Sequence, residues 1–143
     1  MFLFPSDQGE PSHMTKQLSD QVLRGRRILV VEDEYFLADD IVQELKKVGA
    51  QIIGPLGDIE EASNAVAGDL AIDAAVLDVN LRDQMVFPLA RTLRARNVPF
   101  VFTTGYDPGA IDAEFENVKL WNKPIDVRAM VEELSGSITI AQQ

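Results

Sequence analysis

Ala74-Ala75-Val76-Leu77-Asp78-Val79-Asn80-Leu81 is an apolar run that ends on one carboxylate, with polar, loop-forming residues close behind. Short apolar runs of this kind read as strands of a parallel sheet, buried on both faces. In open α/β sheets, ligands bind in the crevice beyond the carboxyl ends of the strands. The stretch therefore predicts a central strand with Asp78 at the mouth of a site.

Working outward, the same pattern recurs. Ile28-Leu29-Val30-Val31 reads as a first strand, closed by Glu32-Asp33-Glu34. Leu37, Ile41, Leu45 and Val48 recur at helical spacing and predict a helix from Tyr35 to Val48, stopped by Gly49. Gln51-Ile52-Ile53-Gly54 is a short second strand. Asp58, with Glu61 three residues on, has the form of a capping box, and Ile59, Ala62 and Val66 give the next helix an apolar face. After Asp78, Val86, Leu89, Ala90 and Leu93 mark a helix from Gln84 to Arg96, followed by a strand Pro99–Thr103. Pro108 and Gly109 allow at best a short or broken helix between Asp107 and Glu116. Val118–Trp121 is a fifth strand leading to Lys123-Pro124, and Asp126 caps a last helix carrying Val127, Met130, Val131 and Leu134. Five strands alternating with helices give an α/β, doubly wound parallel sheet. Its natural strand order is the flavodoxin-like 2-1-3-4-5. That order gathers Glu32, Asp33, Asp78, Thr104 and Lys123 at one edge.

Residues 1–24 read as a flexible N-terminal tail, with Thr15–Leu23 able to form one short helix, and 25–143 as the folded domain. Arg24-Gly25-Arg26-Arg27 reads as a solvated basic hinge. The 143 residues fit one domain, and 46% hydrophobic content supplies a core. Asp and Glu number 23 against 13 Lys and Arg, for a net charge of −10. Such a surface repels phosphate backbones, so no nucleic-acid partner is expected. The absence of cysteine removes disulfides and thiolate catalysis. Met1-Phe2-Leu3-Phe4-Pro5 lacks the basic region and long apolar core of a secretory signal, and no apolar run approaches membrane-spanning length. A cytoplasmic protein without membrane contact, a monomer or weak dimer, is expected.

Three clustered carboxylates repel one another unless something compensates. A hard divalent cation with oxygen ligands does so, and Mg²⁺ suits a few carboxylates plus waters and a phosphoryl group. Lys123 adds a compact positive charge for Asp78 or for phosphate oxygens. Thr104 supplies a hydroxyl donor. Taken singly, each has a plain structural reading: Asp78 as a turn residue, Glu32-Asp33 as helix-dipole compensation, Lys123-Pro124 as a turn. Together they are the parts of phosphoryl transfer to a carboxylate nucleophile.

The chain resembles the response-regulator receiver domains of two-component signalling, CheY-like, from Arg26 to Ser137. Val30–Glu34 resembles the family's acidic pair, Val76–Leu81 its phosphoacceptor strand, and Thr103–Tyr106 and Asn122–Pro124 its switch and lysine motifs. The segment Asn80–Ala90 with Pro99–Tyr106 is similar to the "FAT GUY" subgroup, with Thr103 where that subgroup usually has Ala, so Thr104 matches the switch hydroxyl. The resemblance implies phosphorylation of Asp78, with Mg²⁺ held by Asp33, Asp78 and the Asn80 backbone carbonyl, and by Glu32 directly or through water. It implies that Lys123 contacts the phosphoryl group and precedes a cis Pro124. The family's switch aromatic lies three residues before the lysine, and here that position is Leu120. Arg82 and Val86 stand where the loop after Asp78 commonly has Pro and Gly.

About 20 residues follow Lys123, so no output domain is expected and a stand-alone regulator is. Its single histidine, His13, lies in the tail, so the phosphoryl donor is expected to be a sensor histidine kinase or histidine phosphotransfer protein. The downstream target is open, and a phosphate sink or a phosphorylation-independent interaction module is the alternative. An aspartyl-phosphate phosphatase of the haloacid-dehalogenase type needs a second Asp two residues after the nucleophile, and Asn80 cannot transfer protons. The chain is therefore expected not to be an enzyme beyond its own phosphorylation and dephosphorylation.

Overall fold

In the computed structural model, which describes residues 22–68, 71–105 and 111–141, the apolar runs form one parallel sheet. Its strands are β1 (Arg27–Val31), β2 (Gln51–Leu56), β3 (Ala74–Asp78), β4 (Phe100–Thr104) and β5 (Leu120–Asn122). They lie in the order β2-β1-β3-β4-β5, the flavodoxin-like order expected from the sequence. β3 is central. Val76 sits opposite Val30 on one side and Val101 on the other, and Asp78 opposite Thr103. All five residues of β3 are buried, which is why its sequence is continuously apolar.

Successive side chains leave a strand on opposite faces. Leu29, Val31, Ala75, Leu77 and Phe102 therefore pack under α2 (Ile59–Ala67) and α3 (Phe87–Ala95). Ile28, Val30, Ala74, Val76 and Val101 pack under α1 (Tyr35–Lys47) and α4 (Val127–Ala141). Leu120 joins the first face and Trp121 the second, as strand alternation requires. The caps follow the sequence. Asp58 Oδ1 accepts from the Glu60 and Glu61 N–H groups at 2.7 and 3.3 Å, and Asp126 Oδ1 accepts from Ala129 N–H at 3.1 Å.

Four local features differ from the sequence reading or sharpen it. β2 runs two residues further, to Leu56, through a register shift at the cis Gly54–Pro55 bond. Gly54 has φ +109, and a Cβ there would lie 2.7 Å from the Val30 carbonyl oxygen, so only glycine fits. α3 begins at Phe87 rather than Gln84, because Gln84–Met85 pairs antiparallel with Asn80–Leu81 in a short ribbon. After β4, one 3₁₀ turn (Ala113–Phe115) stands where a broken helix was expected. At the N-terminal side Leu23 is fully buried, Gly25 N–H donates to the Gly49 carbonyl at 2.8 Å, and Arg27 N–H donates to Asp73 Oδ2 at 2.8 Å. The basic stretch is thus tied to the fold rather than a solvated hinge, and packing begins at least two residues before residue 25. The rest of the predicted tail, and Tyr106 to Ala110, lie outside the described residues.

Candidate functional site

The carboxyl ends of β1, β3, β4 and β5 converge on Asp78. Its carboxylate is 4% exposed, with Oδ1 accepting from Asn80 N–H at 3.1 Å and Oδ2 from the Lys123 ammonium at 3.0 Å. Both oxygens are thus oriented before any ligand arrives. Glu32, from the end of β1, is 3% exposed and accepts from Lys123 at 3.3 Å and from Glu34 N–H at 3.1 Å. Asp33, next in the chain, is exposed at the rim. Carboxylate oxygens of Glu32, Asp33 and Asp78 all lie within 4.8 Å of one another. Thr104 is buried at the end of β4, and its carbonyl accepts from Lys123 N–H at 2.9 Å, which ties β4 to the lysine. The Lys123–Pro124 bond is cis.

Burial pushes the Glu32 carboxyl up to about 7, and its contact with Asp78 pushes the same way, against the Glu34 N–H and Lys123. For Lys123, burial acts downward. Hydrogen bonds to Glu34 and Asp78 and the charges of Asp78 and Glu32 outweigh it and hold the ammonium above its ordinary range. One fixed cation thus serves several carboxylates and leaves negative charge uncompensated. Clustered hard oxygen donors with surplus negative charge fit a hard divalent cation.

Two contacts escaped the sequence reading. The Thr103 hydroxyl, fully buried, donates to Glu32 Oε1 at 3.2 Å. Glu34, read only as a residue closing β1, is an ion-pair partner of Lys123. The run of three acidic residues was the available signal for Glu34. For Thr103 the signal was a second hydroxyl beside Thr104. Asp33, Glu34, Asp78, Asn80, Arg82 and Lys123 line an open cleft of about 530 Å³. A larger cavity, about 660 Å³, lies elsewhere, against Arg94, Pro99, Lys119 and Glu133, and holds none of the clustered carboxylates. Of the clustered carboxylates, Asp33 and Asp78 line the smaller one, together with Lys123.

No protein-family model matches the chain. The solution structure of SdrG from Sphingomonas melonis Fr1 is 33% identical over 80% of this chain and 97% of that chain, with TM-score 0.70. A response regulator receiver domain (CheY-like) from Methylobacillus flagellatus is 27% identical over 80% of this chain and 98% of that one, with TM-score 0.67. The chain belongs to the response-regulator receiver domains. A second SdrG structure, from Pseudomonas melonis Fr1 in its BeF3-activated conformation, is 34% identical over 76% of this chain and 95% of that chain, with TM-score 0.60. The sensory transduction protein LytT of Bacillus subtilis is 30% identical over 112 residues, 76% of this chain. The chain spans 46% of the length of LytT. These relatives support a role in two-component, kinase-linked signalling. Among the described residues, no helix of the receiver domain is long and apolar enough to cross a membrane.

Proposed function

We propose that this receiver domain accepts a phosphoryl group on Asp78. The donor is the phosphohistidine of a sensor histidine kinase or a histidine phosphotransfer protein. The observation that carries this reading is a buried carboxylate held by Lys123 at 3.0 Å and Asn80 N–H at 3.1 Å beside two further carboxylates. A nucleophile oriented in this way needs little reorganisation to attack phosphorus. The BeF3-activated conformation recorded for SdrG supports the same reading.

Asp33, Asp78 and the Asn80 backbone carbonyl would hold Mg²⁺, with Glu32 directly or through water. When bound, Mg²⁺ neutralises charge on the transferred group. The other contributions come from the chain itself. Lys123 pairs with the phosphoryl oxygens, and the Thr104 hydroxyl donates to one of them. Glu32, fixed by Thr103 and Lys123, holds the acidic floor in place. The chemistry extends to self-phosphorylation and self-dephosphorylation and to no other substrate. Phosphorylation biases a two-state equilibrium that is read by a protein target at the segment from Ile111 through α4.

Incubation with a small phosphodonor and Mg²⁺, followed by intact-mass measurement, tests the assignment. Wild type gains one phosphoryl group and Asp78→Asn gains none. An unlabelled wild type, or equal labelling of both, refutes it.

A further inference from the structure

We propose that Arg82 is a specificity-determining residue of this site, placed to receive the carboxylate leaving group of an acyl-phosphate donor. The inference rests on the reading of Asp78 as the phosphoacceptor.

Arg82 and Asp83 are the two turn residues of the ribbon that follows Asp78. Both have positive φ, 48° and 66°, fixed by the pairing of Asn80 with Met85 and Leu81 with Gln84. Positive φ is uncommon for arginine, so the flanking ribbon sets where this side chain starts. Arg82 lines the same cleft as Asp78 and Lys123. Its Nη2 lies 3.8 Å from the position a Cβ would take on Gly57, a position itself 3.4 Å from Asp33 Cα and Cβ. The guanidinium therefore lies at the rim, on the side of the cleft where Gly57 meets Asp33. It forms no hydrogen bond or ion pair with any described residue. Lys123, by contrast, is committed to Glu32, Glu34 and Asp78. Among the described residues, the cleft thus holds one cation engaged at the acceptor and one uncommitted at the entrance.

In the transfer, an Asp78 oxygen forms a bond to phosphorus while the bond from phosphorus to the donor's bridging oxygen breaks. The electron pair stays on that oxygen, and the product is a free carboxylate. In-line geometry puts the leaving oxygen on the far side of phosphorus from Asp78, towards the rim. A guanidinium pairs with a carboxylate through two parallel hydrogen bonds, and the attraction grows as charge develops on the departing oxygen. An interaction that strengthens along the reaction accelerates it. Phosphoramidate lacks this feature. Its P–N bond breaks with the electron pair on nitrogen, which is protonated and departs as neutral ammonia. Arg82 offers that leaving group nothing.

The test compares labelling rates of the full chain, with Mg²⁺, using acetyl phosphate and phosphoramidate. Arg82→Gln is expected to slow labelling from acetyl phosphate about tenfold and to stay within about twofold of wild type with phosphoramidate. Arg82→Lys should recover part of the acetyl-phosphate rate. Equal slowing with both donors places Arg82 on the phosphoryl group or the fold and overturns the proposal, as does an unchanged acetyl-phosphate rate. A wild type labelled by neither donor refutes the phosphoacceptor reading itself, and is distinguished by involving no variant.

Discussion

Glu32 lies 3% exposed among the Thr103 hydroxyl, the Lys123 ammonium and Asp78. Burial raises its carboxyl from an ordinary 4.5 to about 7, so it keeps its proton longer in the folded chain than in the unfolded one. Below about pH 4.5 both states are protonated and the contribution to stability is complete. As pH climbs towards 7 the unfolded chain releases the proton and the folded chain does not, so stability falls, by up to about 3 kcal/mol. Denaturant midpoints of metal-free protein should therefore decline between pH 4.5 and 7.5, and Glu32→Gln should flatten that decline. Identical slopes for the two proteins would contradict the assignment. Most of the residues that make this environment were legible beforehand, because Glu32, Asp33, Asp78 and Lys123 each follow an apolar run and strand ends meet at one edge. Thr103 was not. It faces the site because it is the register partner of Asp78, and register between distant strands is not written in either strand alone.

At the scale of elements, residues 111–119 carry one 3₁₀ turn and are anchored to the fold by side chains. Phe115, 1% exposed, stacks on Phe87 at 5.5 Å and meets Phe102 edge-on at 5.6 Å. Arg94 covers its ring at 4.6 Å and donates to the Glu114 carbonyl. Arg91 forms a forked pair with Glu114 and a third bond to Asp112. The aromatic anchor is desolvated and the ionic one is not, so their weights differ. Phe115→Ala should cost ~3–5 kcal/mol, read as a lowered melting temperature. Arg91→Ala should leave that temperature nearly unchanged. The reverse ranking would mean that the ion pairs hold the segment. Sequence resolved the long periodic helices and missed this arrangement, because a single 3₁₀ turn has no periodicity to read and Phe115 is held by α3 and β4 rather than by its neighbours. The start of α3 was misplaced for a related reason. The ribbon turn uses Arg82 and Asp83 at positive φ, where no glycine advertises it.

For the molecule as a whole, a net charge of −10 is distributed so that Glu32, Asp33, Glu34, Asp78 and Asp83 stand together at one end of the sheet. Parallel strands with helices on both faces force every strand to deliver its last residue to that end, so the repulsion is a consequence of the topology and not of any one loop. Relief must come from something that binds the folded arrangement and has no counterpart in the unfolded chain, where those carboxylates are far apart. A ligand of that kind stabilises by mass action, about 2.7 kcal/mol at a hundredfold excess over its Kd. For a chain of this size that is a rise of roughly 5–10 °C in melting temperature. Mg²⁺ should produce this rise at neutral pH. NaCl at equal ionic strength should not, since screening acts on exposed charges and reaches the buried pair Glu32 and Asp78 weakly. Asp33→Asn and Asp78→Asn should each reduce the Mg²⁺ response, while Asp33→Asn, having lost an exposed repelling charge, should melt higher than wild type in the absence of metal. A Mg²⁺ response matched by NaCl, or undiminished in both variants, would place the ion on the general acidic surface instead of at the carboxylates around Asp78.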